Sequence, residues 1–396
     1  MSDVKTATLD KSLVATSRAY NAAIAIFGLL AAIGVAFGID AFIVGHNHVY
    51  GVTREVPWGL LISTYVFFVV TSTGLCLVSS IGHVFGTESF MPIAKRSVFL
   101  AIATIISGFM VIAFEIENPW RMAIYNVISP NLTSNIWWMG TLYGAYLFFM
   151  LIEFALLQIG RYKQASMVGL LGVISGVAAH SNLGAVFGLL AAREFWHGPL
   201  MPIYFIASAM MSGCASVLFF TWIAYRANGW KMSVAMERSL SATGKLGLLL
   251  MAVIMFFTSW KILAGIAGKP PGEYEAMQAI LTGNYSLNFW GGEILLGMVL
   301  PFILILAVKA KNLKVMFFAG ALCLIGIFFM RYDLVVVGQI VPWTEGMGIV
   351  DMPRYFSYTP SFYEIMITIG GFSFCAMLFL MGEKLFNGHL SEEHHG

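Results

Sequence analysis

Ten apolar runs, each long enough to cross a bilayer, set what this protein can fold into. Crossing roughly 30 Å of hydrocarbon takes about 20 apolar residues in a helix. The runs fall at about 19–44, 57–85, 97–117, 135–160, 165–192, 200–226, 243–267, 287–309, 313–341 and 360–386. Only 11% of the 396 residues are charged and 59% are hydrophobic, with a mean hydropathy of +0.82. Soluble domains carry ~25% charged residues. So much apolar surface cannot be hidden in one core, so lipid is the expected solvent. The sequence therefore predicts an all-α membrane protein of about ten transmembrane helices, arranged as two four-helix bundles plus an extra C-terminal helix pair. Residues 1–18 and 387–396 read as polar tails around a transmembrane domain at 19–386, and the loops are too short for a soluble domain. Several runs exceed the minimum length, so tilt or extension beyond the lipid is expected.

Lysine and arginine give an orientation. The N-terminus, the even-numbered loops and the C-terminus hold 15 of the 22 cations. The other side and its adjacent helix ends hold Arg54, Arg121, Arg193, Lys261, Lys269, Arg331 and Arg354. Positive charge accumulates on the cytoplasmic side, so both termini are expected there. Tryptophan and proline steps mark the outer ends: Val56-Pro57-Trp58-Gly59, Asn118-Pro119-Trp120, Asn135-Ile136-Trp137-Trp138 and Val341-Pro342-Trp343. Headgroup anchoring accounts for most of them. The glycines and alanines of the fifth run predict close helix packing.

Several classes are excluded. No basic run suggests nucleic acid. Residues 1–18 hold no apolar stretch before the first span, so a cleaved signal peptide is not expected. Cys76, Cys214, Cys323 and Cys375 lie far apart in apolar runs without C-x-x-C, which argues against zinc, an iron–sulfur cluster or covalent haem. A haem b needs histidine pairs at matching depth. Only His83 and His180 lie within spans, at different depths.

The polar residues carry the functional signal. The stretch Ser107–Arg121 starts as the apolar end of a helix and finishes with Glu115, Glu117, Asn118 and Arg121 around Pro119-Trp120. Charged groups at membrane depth are costly unless paired, hydrated or used. Given the orientation, Asp40, Glu115, Lys261, Glu293, Arg331, Asp333 and Glu364 all fall in the outer half, which predicts one polar cavity opening outward. Headgroup exposure of Asp40 and a structural ion pair of Arg331 with Asp333 are the plain alternatives. Glu153, towards the cytoplasm, and His180, near the middle of span five, are candidate steps of a proton relay with Tyr143, Tyr65 and Tyr146 nearby. Equally, His180 and Asn182 can serve as interhelical hydrogen bonds.

These landmarks resemble the NrfD/PsrC-type membrane subunits of respiratory complexes, including the membrane subunit of hydrogenase-2. The resemblance runs from Pro57-Trp58-Gly59 through Glu115, Glu153-Phe154, His180-Ser181-Asn182-Leu183-Gly184, Phe289-Trp290 with Glu293 and Pro301, and Arg331, to Pro360-Ser361 with Glu364. The region from His180 to Met201-Pro202-Ile203-Tyr204-Phe205 looks most like DsrP, the membrane subunit of the DsrMKJOP complex. The resemblance implies a helical subunit without its own redox cofactor: no haem, no cluster and no metal. It would use menaquinone or ubiquinone as substrate near the outer face, and exchange electrons with a docked ferredoxin-like iron–sulfur subunit alongside further redox subunits.

A quinol loses two protons with its two electrons, so its site needs a hydrogen-bond partner and a base. Asp40, His46, Glu115 and Arg121 are the candidates, with Trp58 as a wall and Glu115 as the proton acceptor. Glu117 is expected to be solvated. Two other classes compete: a secondary transporter, for which matched discontinuous helices are absent by eye, and a purely structural anchor.

Overall fold

The computed structural model describes residues 18–342 and 352–386. Each apolar run forms a helix, since a helix is one of two ways for a backbone in hydrocarbon to satisfy its own hydrogen bonds. The spans are α1 (Arg18–Val44), α2 (Leu60–His83), α3 (Met91–Glu115), α4 (Asn135–Gln158), α5 (Tyr162–Gly188), α6 (Met201–Ala227), α7 (Val234–Gly268), α8 (Asn288–Ala307), α9 (Leu313–Ile340) and α10 (Phe362–Phe386). All are long and apolar enough to cross a membrane, and no strand occurs among the described residues. The expected ends agree within a few residues except at α3 and α7, which start earlier. Their first two turns carry Lys95, Arg96, Glu237 and Arg238, so hydropathy reads only the apolar remainder. Ser233 starts α7 by accepting from the Met236 amide at 3.1 Å, a side-chain cap. The expected tails, apart from Arg18, and Trp343 lie outside the described residues.

Two four-helix bundles form. In the first, α2 packs on α3, α4 on α5, and the contacts α2–α5 and α3–α4 close the ring. In the second, α6 packs on α7 and α9, and α9 on α8. The bundles meet where α2 crosses α6. There Gly74 and Gly213 touch, and a Cβ on either would collide with the other's backbone. The extra pair is not C-terminal as expected: the last span, α10, pairs with the first, α1. Gly34 and Gly370 face each other in that pair with room for nothing larger. Tyr20 donates to the Leu380 carbonyl at 2.7 Å, and Lys384 to Asn21 at 2.9 Å. Arg18 and Phe386 therefore share one end of the molecule, called here the terminal end; the opposite end is distal.

Residues Asn288–Val299 of α8 are wound as a π-helix. This winding bonds residues five apart and is concentrated at functional sites. It brings Asn288 and Glu293 towards one face. The neighbouring α9 approaches at Gly326, whose Cα would lie 3.0 Å from a Cβ on Gly297. Three short helices cover the distal end: His46–Val49, Pro119–Ile128 and Glu273–Leu281.

Candidate functional site

At the distal end, the last residue of α3 and the segment after α1 each present a buried polar atom without a partner. After α1, Gly45 adopts φ 99°, a left-handed conformation natural to glycine, and leads into the helix His46–Val49. His46 is buried there, its ring packed on Phe42 at 5.0 Å and Tyr50 at 4.8 Å between centroids. The ring lies within electrostatic reach of the Glu115 backbone and of Glu117. Its Nε2 has no partner, and neither does Oε2 of Glu115. Buried polar groups are nearly always satisfied, so two orphans on adjoining residues call for an explanation. Tyr50 donates to the Phe114 carbonyl at 2.7 Å and walls this corner.

Burial holds the His46 imidazole below its ordinary range, with Glu117 and the Glu115 carbonyl opposing. The ring is therefore neutral at neutral pH. A neutral imidazole carries a single N–H, and in the tautomer with that proton on Nδ1 the unpartnered Nε2 is a lone-pair acceptor. Tyr50 is pushed up by burial first, then by the carboxylates of Glu115 and Glu364, so it stays a phenol. The corner offers two acceptors, imidazole and carboxylate, to a ligand that brings hydroxyl donors.

The other expected site residues disperse. Glu364 is fully buried and fully used: Oε2 accepts from the amides of Gly51 and Ser361, both at 2.8 Å, and Oε1 from the Tyr358 hydroxyl at 2.6 Å. Tyr358 in turn accepts from the Leu60 amide at 2.6 Å. Asp40 accepts from the Tyr363 hydroxyl at 2.6 Å, joining α1 to α10. Trp58 turns away from His46 and stacks on Trp196 at 5.4 Å, with its backbone clamped by Gln339. Arg121 and Glu117 are exposed.

Comparison with known proteins gives the family. The profile described as "Polysulphide reductase, NrfD" covers residues 48–342. The chain belongs to the NrfD family. It is similar to the Hdr-like menaquinol oxidoreductase integral membrane subunit of Archaeoglobus fulgidus, 28% identical over 90% of this chain and 91% of that one. It is also similar to a selenate reductase subunit of Mesobacillus selenatarsenatis, 26% identical over 84% of this chain and 86% of the relative. A polysulfide reductase chain of Wolinella succinogenes is 23% identical over 74% of this protein and 98% of its own length.

A second polar band in this NrfD-family protein begins inside the second bundle. The expected pair of Arg331 with Asp333 does not form, and no carboxylate lies within 4.0 Å of Arg331 or Lys261 among the described residues. Residues two apart on a helix point in different directions. Arg331 instead donates to Ser208 Oγ at 2.5 Å and lies 5.0 Å from the centre of the Phe205 ring, leaving Nε and Nη1 unpartnered. Asp333 accepts from Asn288 on the π-helical face at 3.3 Å, and Glu293 is buried on the same helix. Lys261 sits 3.5 Å over the Phe195 ring.

Towards mid-membrane, Tyr143 and His180 Nδ1 are 3.2 Å apart, and His180 Nε2 donates to the Phe205 carbonyl at 3.0 Å. Tyr146 donates to the Ser72 carbonyl at 3.0 Å, with the Ser72 hydroxyl also at 3.0 Å. Near the terminal end Glu153 is paired with His83. Sequence reasoning weighs His83 only as a haem ligand. The usable signal is depth, since both residues lie close to the terminal ends of their helices. Gly169 of α5 leaves the room: its Cβ would lie 2.8 Å from Glu153 Oε1 and 3.0 Å from His83 Nε2. Among the described residues no group of three or more His, Cys, Asp or Glu side chains converges to hold a metal ion.

Proposed function

We propose that this protein is the quinone-reactive membrane subunit of a multi-subunit oxidoreductase, exchanging electrons between the membrane quinone pool and an iron–sulfur partner docked on its distal end. The orphaned pair, His46 Nε2 and Glu115 Oε2, carries this reading. A quinol headgroup, of menaquinone or ubiquinone type, brings two hydroxyls to a corner that offers two acceptors. On oxidation its two electrons pass to the partner's cluster and its two protons go to these acceptors. Glu117, exposed beside the corner, hands them to water. Reduction runs the same steps in reverse. The names of relatives support the reading, one being a menaquinol oxidoreductase subunit and another belonging to a polysulfide reductase. The lysine and arginine bias supports termini in the cytoplasm and a site on the outer face, and the relatives' organisms support a bacterial or archaeal cytoplasmic membrane.

A second arm of the proposal is proton movement along the band. His180 with Tyr143, Tyr146 with Ser72, and Glu153 with His83 form successive hydrogen-bonding stations between the buried Arg331 and the terminal end. Turnover of the purified complex with a soluble quinol analogue tests the first arm. Loss of quinol oxidation in both His46→Ala and Glu115→Gln, with assembly intact, supports it. Wild-type turnover in both variants, or solute flux by the isolated protein, rejects it.

A further inference from the structure

A cavity of about 470 Å³ lies at the distal end of the second bundle, between α6, α7 and the loop before α6, and no step proposed above uses it. Its volume falls within the ~300–1,000 Å³ of small-molecule sites. Its mouth opens sideways into the lipid belt, where Leu200, Ile203 and Trp260 are all more than half exposed. The charges within it are ordered by depth. Lys261, seven residues before the end of α7, is the deeper group; its amine rests on the Phe195 ring with no carboxylate within 4.0 Å. Glu194 and Glu273, on the loop after α5 and the first turn of the short helix Glu273–Leu281, line the shallower rim. Burial raises the Glu273 carboxyl, Lys261 opposes this, and Glu194 adds to it.

We propose that this cavity binds one amine-bearing, zwitterionic glycerophospholipid. The order of charges in such a lipid, read from the bilayer outward, is acyl chain, phosphate, ammonium. The cavity repeats it as apolar mouth, lysine ammonium, glutamate pair. Lys261 takes the phosphate as a charge-assisted partner, Glu194 and Glu273 take the ammonium, and one acyl chain leaves between Ile203 and Trp260. A purely anionic lipid would leave the two carboxylates repelling its headgroup. A quinone would bring no charged group to Lys261 or to either acid, leaving Lys261 only the longer-range pull of Glu293 and Glu273. The site stands apart from the His46–Glu115 corner, and its test is independent of turnover.

The assembled complex would be extracted in mild detergent and its bound small molecules identified by native mass spectrometry with lipid analysis. Phosphatidylethanolamine, phosphatidylglycerol and phosphatidylcholine would then be added back in competition. The wild type should retain one phosphatidylethanolamine per copy of this subunit and prefer it over phosphatidylglycerol. Lys261→Gln, removing one charge-assisted contact, should weaken it about tenfold. The double variant Glu194→Gln/Glu273→Gln keeps the phosphate partner and should shift preference towards phosphatidylglycerol. Retention of a quinone in place of the lipid, unchanged phosphatidylethanolamine affinity in Lys261→Gln, or unchanged preference in the double variant would each overturn the assignment.

Discussion

Glu115 and Glu364 are two carboxylates at the same end of the molecule, in neighbouring helices, each sheltered from solvent, and they are used in opposite ways. Glu364 accepts three hydrogen bonds from groups distant in sequence or folded back on it, and so fastens the first distal loop to α10. Glu115 keeps an oxygen that nothing in the protein satisfies, beside a histidine nitrogen in the same condition. A satisfied buried charge holds structure in place; an unsatisfied one is poised for a ligand. Residue type and depth do not separate the two cases. The count of donors around each does.

That contrast can be broken first at Glu115. Replacing it by glutamine keeps the shape and removes the base, so quinol oxidation should fall by about 10²–10⁴-fold, the usual worth of a general base, while the thermal unfolding midpoint stays near that of the wild type. Near-normal turnover would place Glu115 with Glu364 as a structural acid. The complementary change, Glu364→Ala, strips three donors of their acceptor and should cost on the order of 3–5 kcal/mol, read as a lowered unfolding midpoint in detergent. A midpoint indistinguishable from the wild type would remove the distinction from the other side.

A gentler probe of the knot leaves every polar group in place. Gly59→Ala puts a methyl group 2.7 Å from Glu364 Oε1 and against the Tyr358 hydroxyl. Overpacking of this kind costs about 1–3 kcal/mol, and the loss should shrink if Glu364 is already alanine, because Tyr358 is then no longer held against Glu364 and can give way. Fully additive losses would mean that the methyl group strains Tyr358 alone and that Gly59 is not coupled to Glu364.

The smallest effect concerns pH. Burial lowers the His46 pKa below its ordinary value, near 6.5 in peptides. The folded protein therefore binds fewer protons than the unfolded one just below that value. This group's contribution makes stability rise with pH in that window and fall on acidification. Protonated His46 cannot accept from a quinol hydroxyl, so the same titration sets an acid limb to turnover. Glu117 raises the His46 pKa, so Glu117→Gln should move that limb to lower pH. A limb that stays put, or moves up, would separate His46 from the reaction.

How much is legible in the sequence differs between fold and site. All ten helices, the exposure of Glu117 and the depth of Glu115 follow from runs of neighbouring residues. The pairing of α1 with α10 escapes such a reading because it rests on Gly34 meeting Gly370, which no local pattern announces. An Arg331–Asp333 pair is expected because the two are close in sequence, yet the helix points them at different neighbours, Ser208 and Asn288. His83 joins the proposed relay only when α2, α4 and α5 come together around Gly169.

By itself, then, the sequence determined the solvent and the number of crossings, because hydropathy adds up along a single helix and about 20 residues suffice to decide it. It also located the acids and histidines worth suspecting, because charge in hydrocarbon is costly wherever it occurs. Only the tertiary structure decided which of them are satisfied. Gly51 reaches Glu364 across 313 positions of sequence, whereas nothing reaches Glu115 Oε2 or His46 Nε2. Hydrogen-bond satisfaction is a property of what packs around an atom, and that is fixed only when distant helices meet.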